Sequence, residues 1–177
     1  MPDMTELPEL EERLKGFSGF LERLSKEYGM STLELVHKLP AADTTITSGE
    51  VMLDVLKDVS EWGDILFITE AREIITGMST TMPQVFNHDG YFHFFGTNGF
   101  GGHIKEDACK HIAFINRSFQ KRPSRSIHFY DAEGEPMFKI FVSRELSGEM
   151  KEEQIERWEA LAGRFRDQGV QAAGLPL

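Results

Sequence analysis

The residues best suited to chemistry lie close together near the middle of the chain. They are three histidines and one tyrosine, His88, Tyr91, His93 and His103. Phenylalanines surround them at positions 92, 94, 95 and 100. Imidazole and phenolate groups are ligands of heme iron, and aromatic rings offer apolar surface. The mixture therefore meets the needs of a porphyrin.

Alternation along a strand would separate the polar rings from the phenylalanines. Tyr91 and His93 share one face of such a strand, and the neighbouring phenylalanines take the other. His103 follows two glycines, where a strand or turn edge leaves an imidazole room for a ligand. We expect His103 and Tyr91 to be the leading site residues, followed by His93 and His88. Packing or plain surface exposure is the competing interpretation for each of them.

The chain has one basic cluster, formed by Arg117, Lys121, Arg122 and Arg125. We expect it in a solvated loop between two strands. Arg117 could bind a porphyrin propionate there, because a guanidinium meets a carboxylate with two parallel hydrogen bonds. Nucleic acid is disfavoured as a partner, since the net charge is -10 and the cluster lacks aromatic residues for base stacking beyond Phe119.

Composition and motifs narrow the class of protein. With 177 residues, 40% hydrophobic and 27% charged, the chain has the composition of one soluble globular domain. The single cysteine, Cys109, fits a reducing compartment and is expected to be a small buried residue. The first residues show no basic segment followed by an apolar one, and no run of about 18 apolar residues occurs in the sequence. We expect a cytoplasmic protein without an integral membrane segment.

Helical periodicity marks both ends of the chain. One helix is expected over Glu6–Tyr28, where apolar residues recur at steps of three and four. A capping box at Ser31–Glu34 predicts a short second helix that Pro40 stops, and a similar pattern at Thr47–Glu50 predicts the start of a third. The last helix is expected over 150–168, ended by Gly169 before a frayed tail from Val170.

Short runs rich in β-branched and aromatic residues lie between these helices and predict strands. They cover residues 65–69, 73–76, 91–95, 111–116, 126–130 and 137–142. The loop Asp131–Glu135, with Gly134 at a position suited to positive φ, predicts an antiparallel hairpin. The class is therefore α+β, with N-terminal helices, a central antiparallel sheet and a C-terminal helix. We expect one domain over residues 1–177, helical over 6–60, a sheet over 64–143 and a final helix over 150–168.

Six segments, in order and with compatible spacing, resemble the HutX/ChuX family of cytosolic heme-utilisation carriers. They are Glu61-Trp62-Gly63, His88-Asp89-Gly90-Tyr91-Phe92, Gly102-His103-Ile104-Lys105, His111-Ile112-Ala113-Phe114-Ile115, Phe129-Tyr130-Asp131-Ala132-Glu133-Gly134 and Met137-Phe138-Lys139-Ile140-Phe141. The resemblance runs from about the second helix to the last. It implies the heme-utilisation fold, related to half of the larger HemS/ChuS-type proteins, and a homodimer of two short chains.

The resemblance also implies a function. It is that of a cytosolic protein that carries or stores heme as bound cargo during iron acquisition and passes it to a heme-degrading enzyme or another acceptor. In this family, the motifs that contain His103 and Tyr91 here lie around the heme site. Some relatives carry a histidine where this chain has Glu70, and a carboxylate is a poor ligand of heme iron. His103 alone, Tyr91 alone, or ligands contributed across the dimer remain open.

Two other functions are alternatives. A heme-degrading enzyme of the HemS/ChuS type needs an open iron position for oxygen and an ordered distal network, and no strong catalytic constellation is evident. A helix-turn-helix regulator built on residues 6–40 is disfavoured by the acidic charge and the short second helix.

Overall fold

The structure, a computed structural model, describes residues 8–173 and the side chains of residues 8–168. Along these residues run α1 (Leu10–Leu14), α2 (Leu21–Glu27), α3 (Thr32–Val36), β1 (Thr44–Ser48), α4 (Met52–Val59), β2 (Asp64–Ala71), β3 (Ile74–Thr81), β4 (Val85–His88), β5 (Tyr91–Phe95), β6 (Gly101–Lys105), β7 (His111–Phe119), β8 (Arg122–Tyr130), β9 (Pro136–Phe141) and α5 (Glu152–Ala173). Among them, no helix is both long enough and apolar enough to cross a bilayer.

The expected single helix over Glu6–Tyr28 is wrong, because α1 and α2 are separate helices. Gly16 adopts a φ of +66° just after α1, and Phe20 is extended before α2 begins. The apolar period continues across this break, so the pattern alone does not reveal it. The first two residues of the expected helix lie outside the described part of the chain.

The start of α3 follows the predicted capping box. The Ser31 hydroxyl accepts a hydrogen bond from the Glu34 amide at 3.2 Å, and the Glu34 carboxylate accepts one from the Ser31 amide at 2.7 Å. Two backbone donors that a helix start leaves free are thereby satisfied. The same bonds hold the pKa of the Glu34 carboxyl below its ordinary value, the backbone bond being the larger cause.

The region expected to be helical over 6–60 contains a strand. β1 pairs with β7, so the second capping pattern lies at the end of a strand rather than in a loop. The Ser48 hydroxyl still accepts a hydrogen bond from the Glu50 amide at 3.2 Å, and a 3₁₀ turn at Gly49–Val51 leads into α4. Thr44–Ser48 carries three threonines and an isoleucine, which favour extended backbone.

The strands form two antiparallel sheets. One has six strands in the order β1-β7-β8-β9-β2-β3, and the other has three in the order β4-β5-β6. β4 and β6 are absent from the predicted set, because β4 has only four residues and β6 begins with two glycines. The hairpin between β8 and β9 is confirmed, with Gly134 at φ +78°.

The loop expected to carry the basic cluster is a tight turn. Gln120 and Lys121, at φ +49° and +63°, are the two residues between β7 and β8. This is the left-handed turn that joins twisted antiparallel strands. Arg122 and Arg125 therefore belong to β8, and Arg117 belongs to β7.

Each face of the six-stranded sheet is covered differently. Side chains of one face, among them Phe114, Ile127 and Phe129, form a core with α4, α5 and the three-stranded sheet. Side chains of the other face, Ala113, Ile115 and Tyr130, pack with α2 and α3. The α5 helix is present as expected but continues through Gly169 to Ala173, since one glycine costs a helix only about 1 kcal/mol. The last four residues of the expected frayed tail lie outside the described residues.

Substitution Gly49→Ala should destabilise the protein by about 3 kcal/mol, the upper range for overpacking a core. A Cβ on Gly49 would overlap the backbone carbonyl of Cys109, which no side-chain rotation relieves. Chemical denaturation measures the free energy of unfolding. Gly163→Ala in α5 is the control, because a Cβ there meets no atom within 4 Å, and it should stabilise by about 0.5–1 kcal/mol. Equal stability of Gly49→Ala and wild type would contradict the packing described.

Candidate functional site

The three-stranded sheet has one buried face and one ring-covered face. Phe92 and Phe94 on β5 are buried against α4 and the six-stranded sheet, so Tyr91 and His93, which alternate with them along the strand, point outward. The predicted alternation is thus confirmed. We call Phe86, His88, Tyr91, His93 and His103, together on the outer side of this sheet, the ring face.

Strand register brings the four predicted rings together. His93 lies opposite His103 on one side and Phe86 on the other, and Tyr91 lies opposite His88. The ring centroids of His93 and His103 are 5.8 Å apart, and those of Tyr91 and His103 are 5.2 Å apart with the rings near perpendicular. His93 also stacks on Phe86 at 5.5 Å. His103, Tyr91, His93 and His88 therefore form one continuous surface.

The ring face is open to solvent. His103 and Phe86 are exposed, Tyr91 and His93 are half-buried, and Phe95 at the end of β5 is 81% exposed. The His88 imidazole lies 3.2 Å from the Asp89 carboxylate, and the His93 Nε2 lies 3.2 Å from the His88 carbonyl oxygen. An imidazole and a phenol side by side on such a surface can ligate an iron that arrives inside a porphyrin, which needs only one or two protein ligands.

Arg117 is not part of the ring face. Its guanidinium donates hydrogen bonds to the Phe17 and Gly19 carbonyl oxygens at 3.1 and 2.9 Å, on the segment between α1 and α2. Burial lowers the pKa of this guanidinium, and nearby Glu22 opposes that shift. Arg117 was expected in a loop and lies on β7 of the six-stranded sheet instead, so the structure does not bring it to the ring face. Propionate binding by Arg117 stays a prediction.

Arg117 instead lines a cleft that the sequence did not reveal. We call it the α2 cleft: a cavity of about 270 Å³ between α2 and the six-stranded sheet. Its walls are mainly apolar, formed by Phe20, Leu66, Ile68, Phe119 and Phe141. Glu70, exposed at the end of β2, lies at its rim. The alternation of side chains along β2 and β9 could have indicated one wall of the cleft. The opposite wall comes from α2 and β7, which that pattern does not reveal.

Charged groups lie beneath these apolar walls. Lys139 forms an ion pair with Glu22, and both side chains are largely buried. Next to them His128 is buried, with its ring nitrogens 2.9 Å from the Ser126 hydroxyl and 3.3 Å from the Tyr130 hydroxyl. Burial, and then the positive charges of Lys139 and Arg117, push the pKa of His128 well below its ordinary value. His128 is therefore neutral at physiological pH.

Cys109 behaves as the sequence predicted. Its thiol is buried and donates to the His111 carbonyl oxygen at 3.4 Å. Burial raises the pKa of the thiol to about 12. A thiol with so little thiolate at neutral pH is a poor nucleophile, so packing explains this residue.

Comparison with known proteins identifies the family to which this chain is similar. The profile of the family described as Haem utilisation ChuX/HutX matches residues 45–161. The intracellular heme transport protein HutX of Vibrio cholerae serotype O1 is 27% identical over 139 residues, covering 78% of this chain and 72% of the relative.

Solved structures agree with that match. Two structures of ChuX, one of them described as a heme-binding protein, superpose with TM-scores of 0.85 and 0.82 at 34% and 33% identity. They cover 90% and 89% of this chain and 99% of ChuX. The heme degrading enzyme ChuS of Escherichia coli O157:H7 has the same fold over 48% of its length, with a TM-score of 0.71 at 11% identity. The expected fold, half of a larger HemS/ChuS-type protein, is confirmed, and the chain belongs to the ChuX/HutX family of heme-utilisation proteins.

Proposed function

We propose that this chain is a cytoplasmic heme carrier, one domain over residues 1–177, that binds heme reversibly as cargo during iron acquisition. The observation that carries the proposal is the ring face, where Tyr91 and His103 meet at 5.2 Å on an exposed surface. The names of the relatives support it, since HutX is an intracellular heme transport protein and ChuX a heme-binding protein.

The iron ligands in this proposal are His103 and Tyr91. A phenolate and an imidazole both bind ferric heme, and these two rings are close enough for either to reach an iron above the sheet. His93 and His88 flank them as further contacts. Lys105 lies opposite Tyr91 in the strand register, so its ammonium can pair with a propionate on the same surface.

Reversible carriage fits the exposure of this site better than catalysis does. A ligand on an open surface leaves by diffusion, without a lid to move. Heme degradation, the alternative function, requires an ordered network above the iron to handle oxygen. The described ring face offers a single layer of rings. The recipient is a second protein able to bind heme, a heme-degrading enzyme being one such acceptor.

A homodimer is the second part of the proposal. β3 is an edge strand of the six-stranded sheet, and its Ile74, Ile75 and Met78 are 67%, 48% and 41% exposed. An apolar edge strand of eight residues promotes association with another strand. Pairing with a second copy would cover it in a closed assembly.

Hemin titration followed at the Soret band tests the carrier function. We expect saturable binding by the wild type, a shifted Soret band in His103→Ala or Tyr91→Phe, and at least about tenfold weaker binding when a true iron ligand is lost. His37→Ala is the control, because His37 is an exposed histidine at the end of α3. Addition of a reductant and oxygen should leave the porphyrin intact. Absence of saturable binding would overturn the carrier function, and wild-type spectra in both variants would overturn the ligand choice.

Sedimentation velocity tests the dimer. We expect the wild type to sediment at twice the chain mass of 20.1 kDa and Ile74→Lys to sediment as a folded monomer, because a charge on the edge strand opposes pairing. Lys57→Ala, on α4, serves as a surface control. A wild-type monomer at micromolar concentration would contradict the proposed assembly.

A further inference from the structure

Two imidazoles of the ring face meet across neighbouring strands. His93 on β5 lies directly opposite His103 on β6, and their ring centroids are 5.8 Å apart. His103 is exposed and His93 is half-buried, so solvent reaches both rings. Two rings on one surface cannot both ligate the same heme iron, because the axial positions lie on opposite faces of the porphyrin. The pair is instead arranged for a metal ion that accepts two ligands from the same side.

The separation of the two rings fits one metal ion bound to both. A Zn²⁺ ion lies about 2.1 Å from an imidazole nitrogen, which lies about 1.1 Å from its ring centre, so rings on one ion have centroids at most roughly 6.4 Å apart. The 5.8 Å between His93 and His103 lies inside that limit. Both side chains project from paired strands, and sites on strands hold their geometry better than sites on loops.

A hydrogen bond fixes which nitrogen of His93 is available. The His93 Nε2 lies 3.2 Å from the His88 carbonyl oxygen. A carbonyl oxygen only accepts, so Nε2 carries the hydrogen and Nδ1 keeps its lone pair. Histidines that ligate metals commonly donate their other ring N–H to such a carbonyl, which fixes the tautomer and the orientation of the ring. His93 therefore has the supporting bond of a metal ligand.

We propose that His93 and His103 chelate one free divalent transition-metal ion, with Cu²⁺ bound most tightly. Imidazole nitrogens suit Cu²⁺, Ni²⁺ and Zn²⁺, and such sites generally bind Cu²⁺ ahead of the other two. Water completes the coordination, because no group of three or more His, Cys, Asp or Glu side chains among the described residues could hold a metal ion. The net charge of -10 favours a cation, although Lys105 lies on the same strand as His103.

His88 is a third imidazole nearby, but it is not a ligand in this proposal. Its ring centroid is 6.1 Å from that of His93, and its Nε2 lies 3.2 Å from the Asp89 carboxylate. Its contribution is the backbone carbonyl that accepts from the His93 ring. Alanine at this position keeps that carbonyl, so His88→Ala removes a neighbouring imidazole without removing the support of His93.

A metal ion on this pair would compete with heme, and only that consequence rests on the proposed function. An ion held by His103 removes this imidazole from the heme iron and occupies the surface beside Tyr91. The metal site itself needs no porphyrin. Zn²⁺ is the suitable competitor, because it undergoes no redox reaction with the heme.

Calorimetric titration of the metal-free, untagged protein with Cu²⁺ tests this proposal. We expect one ion per chain at the strongest site, and weaker binding of Zn²⁺ and Ni²⁺. His93→Ala and His103→Ala should each weaken Cu²⁺ binding at least about tenfold, and the double variant should weaken it little further, because either loss already breaks the chelate. Electron paramagnetic resonance should show coupling of Cu²⁺ to two imidazole nitrogens in the wild type and to one in either single variant.

Matched histidine variants are the controls. His88→Ala on the same surface and His37→Ala, an exposed histidine elsewhere, should bind Cu²⁺ as the wild type does. Chemical denaturation should show that every variant is folded, since Phe92 and Phe94 on the opposite side of β5 carry the packing.

Three results would overturn the metal site. They are the absence of a one-to-one site in the wild type, wild-type affinity in either His93→Ala or His103→Ala, and losses that add in the double variant as those of two separate sites would. Weaker hemin binding by Zn²⁺-saturated protein would support the competition, and unchanged hemin binding would overturn the competition alone. Failure of the metal titration leaves the heme-carrier proposal intact, and failure of the hemin titration leaves the metal site intact.

Discussion

Burial of alternate side chains on β5 is the constraint on which the candidate site depends. Phe92 and Phe94 fix the three-stranded sheet to the core, each contributing about 1.5–3 kcal/mol of burial. Because side chains alternate along a strand, Tyr91 and His93 must then face solvent. Pairing with β6 places His103 beside them. The surface that we propose binds heme is thus set by hydrophobic packing on the opposite side of the same strand.

The six-stranded sheet separates two chemical environments. On one side, α4, α5 and the small sheet form an apolar core in which the Trp158 indole N–H donates to the Ser126 carbonyl oxygen at 3.0 Å. On the other side, α2 and α3 cover only part of the sheet and leave an apolar cleft with buried charges. The ring face carries imidazole and phenol groups on an open surface, whereas the cleft has apolar walls and charged side chains.

Sequence patterns predicted the local features well and the long-range ones poorly. The α3 capping box, the Gly134 hairpin and the alternation on β5 depend on residues close in sequence, and each is confirmed. The break between α1 and α2 was missed because the apolar period continues through Gly16. The α2 cleft was missed because Glu22 and Lys139, distant in sequence, meet only after folding. Arg117 was expected in a loop and lies on β7 instead, and its neighbours in the cleft were missed for the same reason, since strand order decides which side chains share a surface.

A crystal structure of the hemin complex, with anomalous scattering recorded at the iron edge, would show whether Tyr91 or His103 ligates the heme iron. We expect an iron peak above the ring face, within bonding distance of the Tyr91 Oη or the His103 imidazole. An iron peak away from both residues would contradict this expectation.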